Sequence, residues 1–346
     1  MAETRLSIAL EHQGLTLPVT GSIAILRARP DRDYAPFPRD RLTVANTFRP
    51  AFDALATLGF DTVENIEKPV SLALVEITRS KAETLGLVAQ AMAVVPPGGT
   101  IVVDGDKTDG IESVLKHCRQ ILAVSDVVSK SHGKLFWMAR PAALPDGLAD
   151  WQQAASPTPN AAGFITAPGM FSPDKIDAGS ALLAAEFDTR MKGSVADLGA
   201  GWGWLAAQAL SHDDVTRVDL FEAEKTALDA ARQNLPDARA RFFWQDVSTL
   251  KPATPYDQVI ANPPFHQSRA ADPSLGVAFI FKAADILSPK GQFWLVANRQ
   301  LPYEAALDAA FGHVKPLGQT PHFKLYLATK PRAAAARSKR TARAAI

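Results

Sequence analysis

The chain has one cysteine in 346 residues, Cys118, so neither an intrachain disulfide nor a cysteine-rich zinc site can be built from it. Net charge is nearly absent. Lysine and arginine number 37 against 36 acids, and nothing in the overall balance marks a nucleic-acid binder. No apolar run reaches the roughly 20 residues of a membrane span. The opening stretch, MAETRLSIALEHQG, carries acids early and lacks an apolar core of signal-peptide length. Together these absences predict a cytoplasmic protein without a membrane or a resident metal. Charge is uneven only at the end. KPRAAAARSKRTARAAI holds Lys330, Arg332, Arg337, Lys339, Arg340 and Arg343 and no acid. Residues 331–346 are therefore expected to form a basic, disordered tail, either phosphate-seeking or simply solvated.

What is present is ordinary globular material, 47% hydrophobic and 21% charged, in a chain long enough for two domains. Residues 141–169 are rich in Pro, Ala and Gly and read as a linker, placed at 146–162. The half after it alternates strand and helix patterns. SVADLGAGWG is a strand entering a glycine loop, TRVDLFEAE a second strand, and KTALDAARQN a helix. RFFWQDV, DQVIANPPF, GQFWLVAN and FKLYLAT read as further strands, with GVAFIFKAADIL a helix before GQFWLVAN. Such alternation predicts an α/β fold, a mostly parallel sheet with helices on both faces. The first half echoes it. VSLALVEITRSKAETLGLVAQAMAVVPPGGTIVVDG repeats the order strand, turn, helix, Pro/Gly break, strand, with VEITRS where the second half has IANPPF. A duplication is expected, and a first copy without the glycine loop or the Asn-Pro-Pro turn has lost its chemistry.

In ADLGAGWGWLA, Gly199, Gly201 and Gly203 follow an apolar strand, where glycine permits a tight turn and close backbone approach to a ligand. Gly201, Gly203 and Ala206 also fit the dinucleotide fingerprint, with Glu222 about 20 residues on. Two carboxylates separate the readings. Asp197 suits a ligand with a positive amino group and is awkward beside a pyrophosphate. Asp246 can accept from an adenine amine. Both fit S-adenosylmethionine, an adenosine carrying a zwitterionic amino acid. Asp197, Glu222, Asp246 and Asn262 are all expected at the carboxyl ends of strands.

Asn262, Pro263, Pro264 and Phe265 end the fourth of these strands, because proline cannot continue a ladder. An exocyclic amine on a base is a poor nucleophile, its lone pair being delocalised into the ring. The Asn262 carbonyl and a backbone carbonyl near Pro263 can accept its two N–H bonds and direct the lone pair. The prolines make these acceptors rigid, and Phe265 can stack on the base. His266 is open between contact with RNA and a structural role.

At these residues the C-terminal half resembles a class I S-adenosylmethionine-dependent methyltransferase. The whole of residues 5–330 resembles the RsmC/RlmG type of ribosomal RNA guanine-N2 methyltransferase, through DLGAGWG, NPPFH, GMFSPDKIDAGSALLAAEF and LVANRQLPYEAAL. The resemblance implies two tandem Rossmann-like domains. Residues 1–145 would be a degenerate copy that binds RNA or stabilises its partner, and 163–330 a catalytic domain on a seven-stranded sheet. It implies S-adenosylmethionine held by Asp197, Gly199, Ala200, Gly201, Gly203, Glu222, Asp246, Val247 and Asn262. Asn262, Pro263, Pro264 and Phe265 would hold a guanine of small-subunit ribosomal RNA. Asp219 competes with Glu222 for the ribose, and Phe171 and Ser172 are further candidates for closing the cofactor site. The expected partner is ribosomal RNA or the small subunit, and the expected state a monomer. The alternatives are an adenine-N6 or protein-glutamine methyltransferase, or a non-catalytic assembly factor.

Overall fold

The computed structural model describes residues 3–264 and 273–333. It divides into two compact units, Met1–Thr158 with Ala167–Gly169, and Pro159–Thr166 with Met170–Ile346. The first unit is built on β1 (Ile23–Leu26), β2 (Leu42–Ala45), β3 (Asp61–Val63), β4 (Leu72–Glu76), β5 (Thr100–Asp106), β6 (Val124–Lys130) and β7 (Gly133–Ala139). They lie in the order β3-β2-β1-β4-β5-β7-β6. All pairs are parallel except β5–β7 and β6–β7. Its helices are α1 (Arg5–His12), α2 (Arg49–Thr57), α3 (Lys81–Val94), α4 (Ile111–Ile121) and α5 (Gly147–Ala155).

The central strands explain their own sequence. Ile23, Ile25, Leu72 and Leu74 pack with Leu6 and Leu55 of α1 and α2. Ala24, Leu26, Ala73 and Val75 pack on the other face with residues of α3 and α4. Both faces are covered, so the strands read as continuous apolar runs instead of alternating. In α4 the buried residues Ile111, Val114, Leu115 and Cys118 recur at helical spacing. Truncating a side chain such as Leu74, 1% exposed, should cost about 2–5 kcal/mol.

A short ribbon of β8 (Thr158–Pro159) and β9 (Ile165–Thr166) marks where the chain changes unit. The second sheet contains β10 (Gly193–Leu198), β11 (Val215–Glu222), β12 (Ala240–Trp244), β13 (Tyr256–Ala261), β14 (Leu287–Asn298), β15 (Phe311–Gln319) and β16 (Phe323–Pro331). Its order, β12-β11-β10-β13-β14-β16-β15, matches the first strand for strand. Again only the last two pairings are antiparallel. Helices α6 (Ala178–Ala185), α7 (Trp204–Leu210) and α8 (Lys225–Asn234) contribute to the core on one face, and α9 (Pro273–Ile286) and α10 (Glu304–Ala310) to that on the other.

Three details differ from the sequence reading. The stretch 146–162 is not a free linker, since it contains α5, whose Leu148 and Trp151 pack into the first unit's core. Strand β15, FGHVKPLGQ, has no apolar signature and is mostly exposed. Lys330 belongs to β16, and Arg332 Nε donates to the Phe311 carbonyl at 2.8 Å. Residues 334–346 of the expected tail lie outside the described residues. Among the described residues no helix is long and apolar enough to cross a membrane.

Candidate active site

The order of the second sheet reverses direction between β10 and β13, and connections leaving such strands diverge to open a crevice at their carboxyl ends. The register decides what meets there. Asp197 and Leu198 lie beside Ile260 and Ala261, so the glycine loop and Asn262 leave the sheet as neighbours. On the other side Leu198 lies beside Phe221, and Glu222 beside Trp244. The ends of four parallel strands thus bring Asp197, Glu222, Asp246 and Asn262 to one edge.

Asp197 is fully buried, and neither carboxylate oxygen has a hydrogen-bond partner. Burial pushes its pKa up to about 8; the nearby Glu222 charge adds to this and the Ala206 amide opposes it. The Ala206 amide lies near Asp197 without completing a hydrogen bond, and a buried carboxyl so placed is costly unless something positive joins it.

The loop after it is anchored to β11. The amides of Gly199 and Ala200 donate to the Phe221 carbonyl at 2.9 and 3.2 Å. The Gly201 amide donates to Glu222 Oε2 at 2.7 Å, and Oε1 accepts from the Glu224 amide at 2.8 Å. Burial raises the Glu222 pKa, with the Glu224 and Gly201 amides opposing. All three loop glycines have positive φ, and two of them serve different ends. A Cβ on Gly201 would meet nothing within 4 Å, so this backbone is open to a ligand. A Cβ on Gly203 would lie 2.9 Å from Leu235 Cδ1 and 3.2 Å from Ala231 Cβ. Gly203 therefore lets the loop pack closely beside the end of α8. Asn234, at the end of α8, donates to the Trp202 carbonyl and exchanges two bonds with Ile165.

Asp246 caps the short 3-10 turn Val247–Thr249, accepting from the Ser248 amide at 2.8 Å, and Val247 is buried. Asp219, the rival to Glu222, is placed elsewhere. Fully buried within β11, it accepts from Arg241 at 2.7 and 2.6 Å and from Tyr256 Oη at 2.6 Å. Its acceptors are occupied by a structural ion pair.

Asn262 is held from α6. Its Nδ2 donates to Asp177 Oδ2 and to Ser180 Oγ, both at 2.9 Å. Pro263 is buried and Pro264 exposed. Phe265 and His266 lie outside the described residues. Phe171 is 54% exposed, and its carbonyl accepts from Trp202 Nε1 at 3.0 Å, which ties this segment to the glycine loop. Ser172 Oγ donates to the Lys175 carbonyl. The sequence did not reveal Asp177, Ser180, Asn234 or Trp202 as parts of the site. Asp177 carries a signal as a helix cap, but nothing local joins it to Asn262.

Residues 161–327 match the family model of the methyltransferase small domain. The Ribosomal RNA small subunit methyltransferase C of Yersinia pseudotuberculosis (strain PB1/+) is 31% identical over 259 residues, 72% of each chain. That relative extends the likeness well beyond the second unit. The chain belongs to the ribosomal RNA small subunit methyltransferase C family. The protein of that name from Yersinia pestis matches with the same identity and coverage. Among solved structures, the fold is shared with the Thermus thermophilus 16S rRNA N2 G1207 methyltransferase (RsmC) in complex with AdoMet and guanosine. The TM-score is 0.77 at 24% identity, covering 91% of this chain and 90% of that one. The edge of this methyltransferase domain thus carries a buried carboxylate whose oxygens accept no hydrogen bond and an open glycine backbone. A site of this kind can take a ligand with a positive group near Asp197 and an extended chain along Gly201.

Proposed function

We propose that the chain transfers a methyl group from S-adenosylmethionine to the exocyclic N2 amine of a guanine in small-subunit ribosomal RNA. The observation that carries this reading is the buried, unpartnered Asp197 in register beside the strand that delivers Asn262. The substrate class follows the name of the Yersinia relatives, and the guanine N2 amine follows that of the Thermus enzyme.

The residues fit the cofactor. Asp197 receives its ammonium group, which relieves the carboxylate of its buried isolation. Gly199, Ala200 and Gly201 let the backbone approach it closely. Glu222, already fixed by two amides, accepts from the ribose hydroxyls with its remaining lone pairs. Asp246 accepts from the adenine amine, and Val247 lies against the ring. Gly203 supports the loop by packing. When bound, the cofactor supplies an electrophilic methyl group on a sulfonium.

The chain's own contribution is alignment more than strong acid or base catalysis. Asn262 Oδ1 and the Pro263 carbonyl accept the two N–H bonds of the target amine and favour a nitrogen with a directed lone pair. Pro263 and Pro264 keep these acceptors in place, and Phe265 stacks on the flipped base. The first unit contributes RNA contacts or support for the second. The enzyme acts as a cytoplasmic monomer.

The test uses the full chain with methyl-labelled S-adenosylmethionine and small subunits or 16S RNA from cells lacking the corresponding enzyme. Nucleoside mass spectrometry should find the label in N2-methylguanosine. Label in N6-methyladenosine, or in protein alone, would overturn the reading.

A further inference from the structure

The amide of Asn262 has two nearly isosteric ends, and only hydrogen-bond partners can decide which faces the crevice. Turned one way it presents an acceptor to an incoming amine. Turned the other way it presents N–H groups to N–H groups. Backbone rigidity from Pro263 and Pro264 does not settle this, because the choice lies in a side-chain torsion.

The start of α6 does settle it, through its cap residue Asp177 and through Ser180. Asp177 Oδ2 and Ser180 Oγ each take a bond from Asn262 Nδ2 at 2.9 Å, which occupies both amide hydrogens. Ser180 could serve as donor or acceptor and would not choose alone. A carboxylate only accepts, so Asp177 selects Nδ2 and turns Oδ1 away from α6. Asp177 is fixed in turn, because the same Oδ2 caps α6 by accepting from the Ser180 amide at 2.8 Å. A charged acceptor on the nitrogen side also draws the amide's electrons toward Oδ1 and strengthens it as an acceptor.

We propose that Asp177 and Ser180 are positioning residues that lock the Asn262 amide with its oxygen toward the target amine and polarise it for that bond. This rests on the role given to Asn262 above. Asp177→Ser keeps a good helix cap but is too short to hold Asn262, and Ser180→Ala removes the second acceptor. The double variant of the full chain should melt near the wild-type temperature. Its kcat should fall about tenfold or more, with cofactor Kd and the KM for small subunits within about twofold. Asp177→Asn, which caps equally well and can still present an oxygen, should recover most of that loss. A double variant with kcat near wild type would overturn the proposal.

Failure of the functional reading is distinguishable, because the lock has a readout without turnover. In protein labelled with 15N-asparagine, the Asn262 side-chain signals are identified by their loss in Asn262→Ala. Their protons should exchange slowly in wild type and quickly in the double variant. Fast exchange in wild type would overturn the lock, whichever substrate is methylated.

Discussion

Ile25 and Leu26 of β1 lie between Val44–Ala45 and Leu74–Val75, as Asp197 and Leu198 of β10 lie between Leu220–Phe221 and Ile260–Ala261. The two sheets can therefore be compared residue by residue. Arg27 stands where Gly199 stands, and both have positive φ, 57° and 72°. The Ala28 amide donates to the Ala45 carbonyl as the Ala200 amide does to Phe221. Asn46 replaces Glu222 and keeps one of its bonds, accepting from the Phe48 amide at 2.7 Å. Ile25 replaces Asp197, and Glu76 replaces Asn262. The backbone frame has survived while the polar groups have changed allegiance. In the first sheet they face one another. Arg27 pairs with Glu83, Arg32 with Asp106 at 2.8 Å and Glu76 at 3.7 Å, and Arg5 with Asp104 at 2.6 Å. Tyr34 donates to Glu76 at 3.1 Å. In the second sheet, among the described residues, the Asp197 oxygens accept no hydrogen bond, and Asn262 is held through its nitrogen by Asp177 and Ser180. The two edges differ in a handful of side chains at the strand ends. Charged groups pair with one another in the first, where Glu76 Oε2 and Arg32 Nε meet only as an ion pair without a hydrogen bond, and among the described residues Asp197 lacks even an ion pair in the second.

The largest test of this contrast is at the paired positions. Asn262→Ala should lower turnover about a hundredfold or more with cofactor affinity little changed, whereas Glu76→Gln should stay within about twofold. Single-turnover kinetics on small subunits check both, and equal losses would erase the distinction.

Asp197→Asn should weaken S-adenosylmethionine binding by about 3 kcal/mol, some hundredfold, by calorimetry. It should also stabilise the unliganded chain. The unfolded chain releases this proton near pH 3.8, the folded one near 8. Between those values the folded state holds more protons, so wild-type stability falls as pH rises. The variant's gain in Tm should therefore be large at pH 8 and vanish toward pH 4. An unchanged gap across that range would mean that Asp197 is not the strained group described.

Glu222→Ala should cost about 2 kcal/mol of cofactor affinity, the scale for a hydrogen bond to a charged group. Asp219→Ala should instead lower Tm, since it strips Arg241 and Tyr256 of their partner. Calorimetry and thermal melts with the two effects exchanged would move the ribose site to Asp219. The smallest contrast is between glycines. Gly203→Ala should lower Tm by crowding Leu235, while Gly201→Ala, at a strain of about 1–2 kcal/mol, should mainly weaken cofactor binding.

Much of this was legible because it is local. A glycine loop after an apolar strand and an Asn-Pro-Pro turn after another are complete signals within ten residues, and the duplication echoed in the order of elements. What stayed hidden was non-local or unpatterned. Asp219 and Glu222 are three residues apart on one strand, and only the neighbouring Arg241 and Tyr256 show that the first is occupied. Asp177 meets Asn262 through the fold alone. Helix α5 is masked by the Pro- and Ala-rich sequence around it, and β15 pairs on one side with β16 at an exposed edge where no apolar alternation is required.

If only the second sheet keeps an open edge, the chain has a single place for the cofactor. Titration calorimetry of the full chain with S-adenosylmethionine measures this directly. One site per chain is expected, greatly weakened by Asp197→Asn and untouched by Glu76→Gln. Two sites per chain, or one that survives Asp197→Asn and is lost with Glu76→Gln, would contradict it.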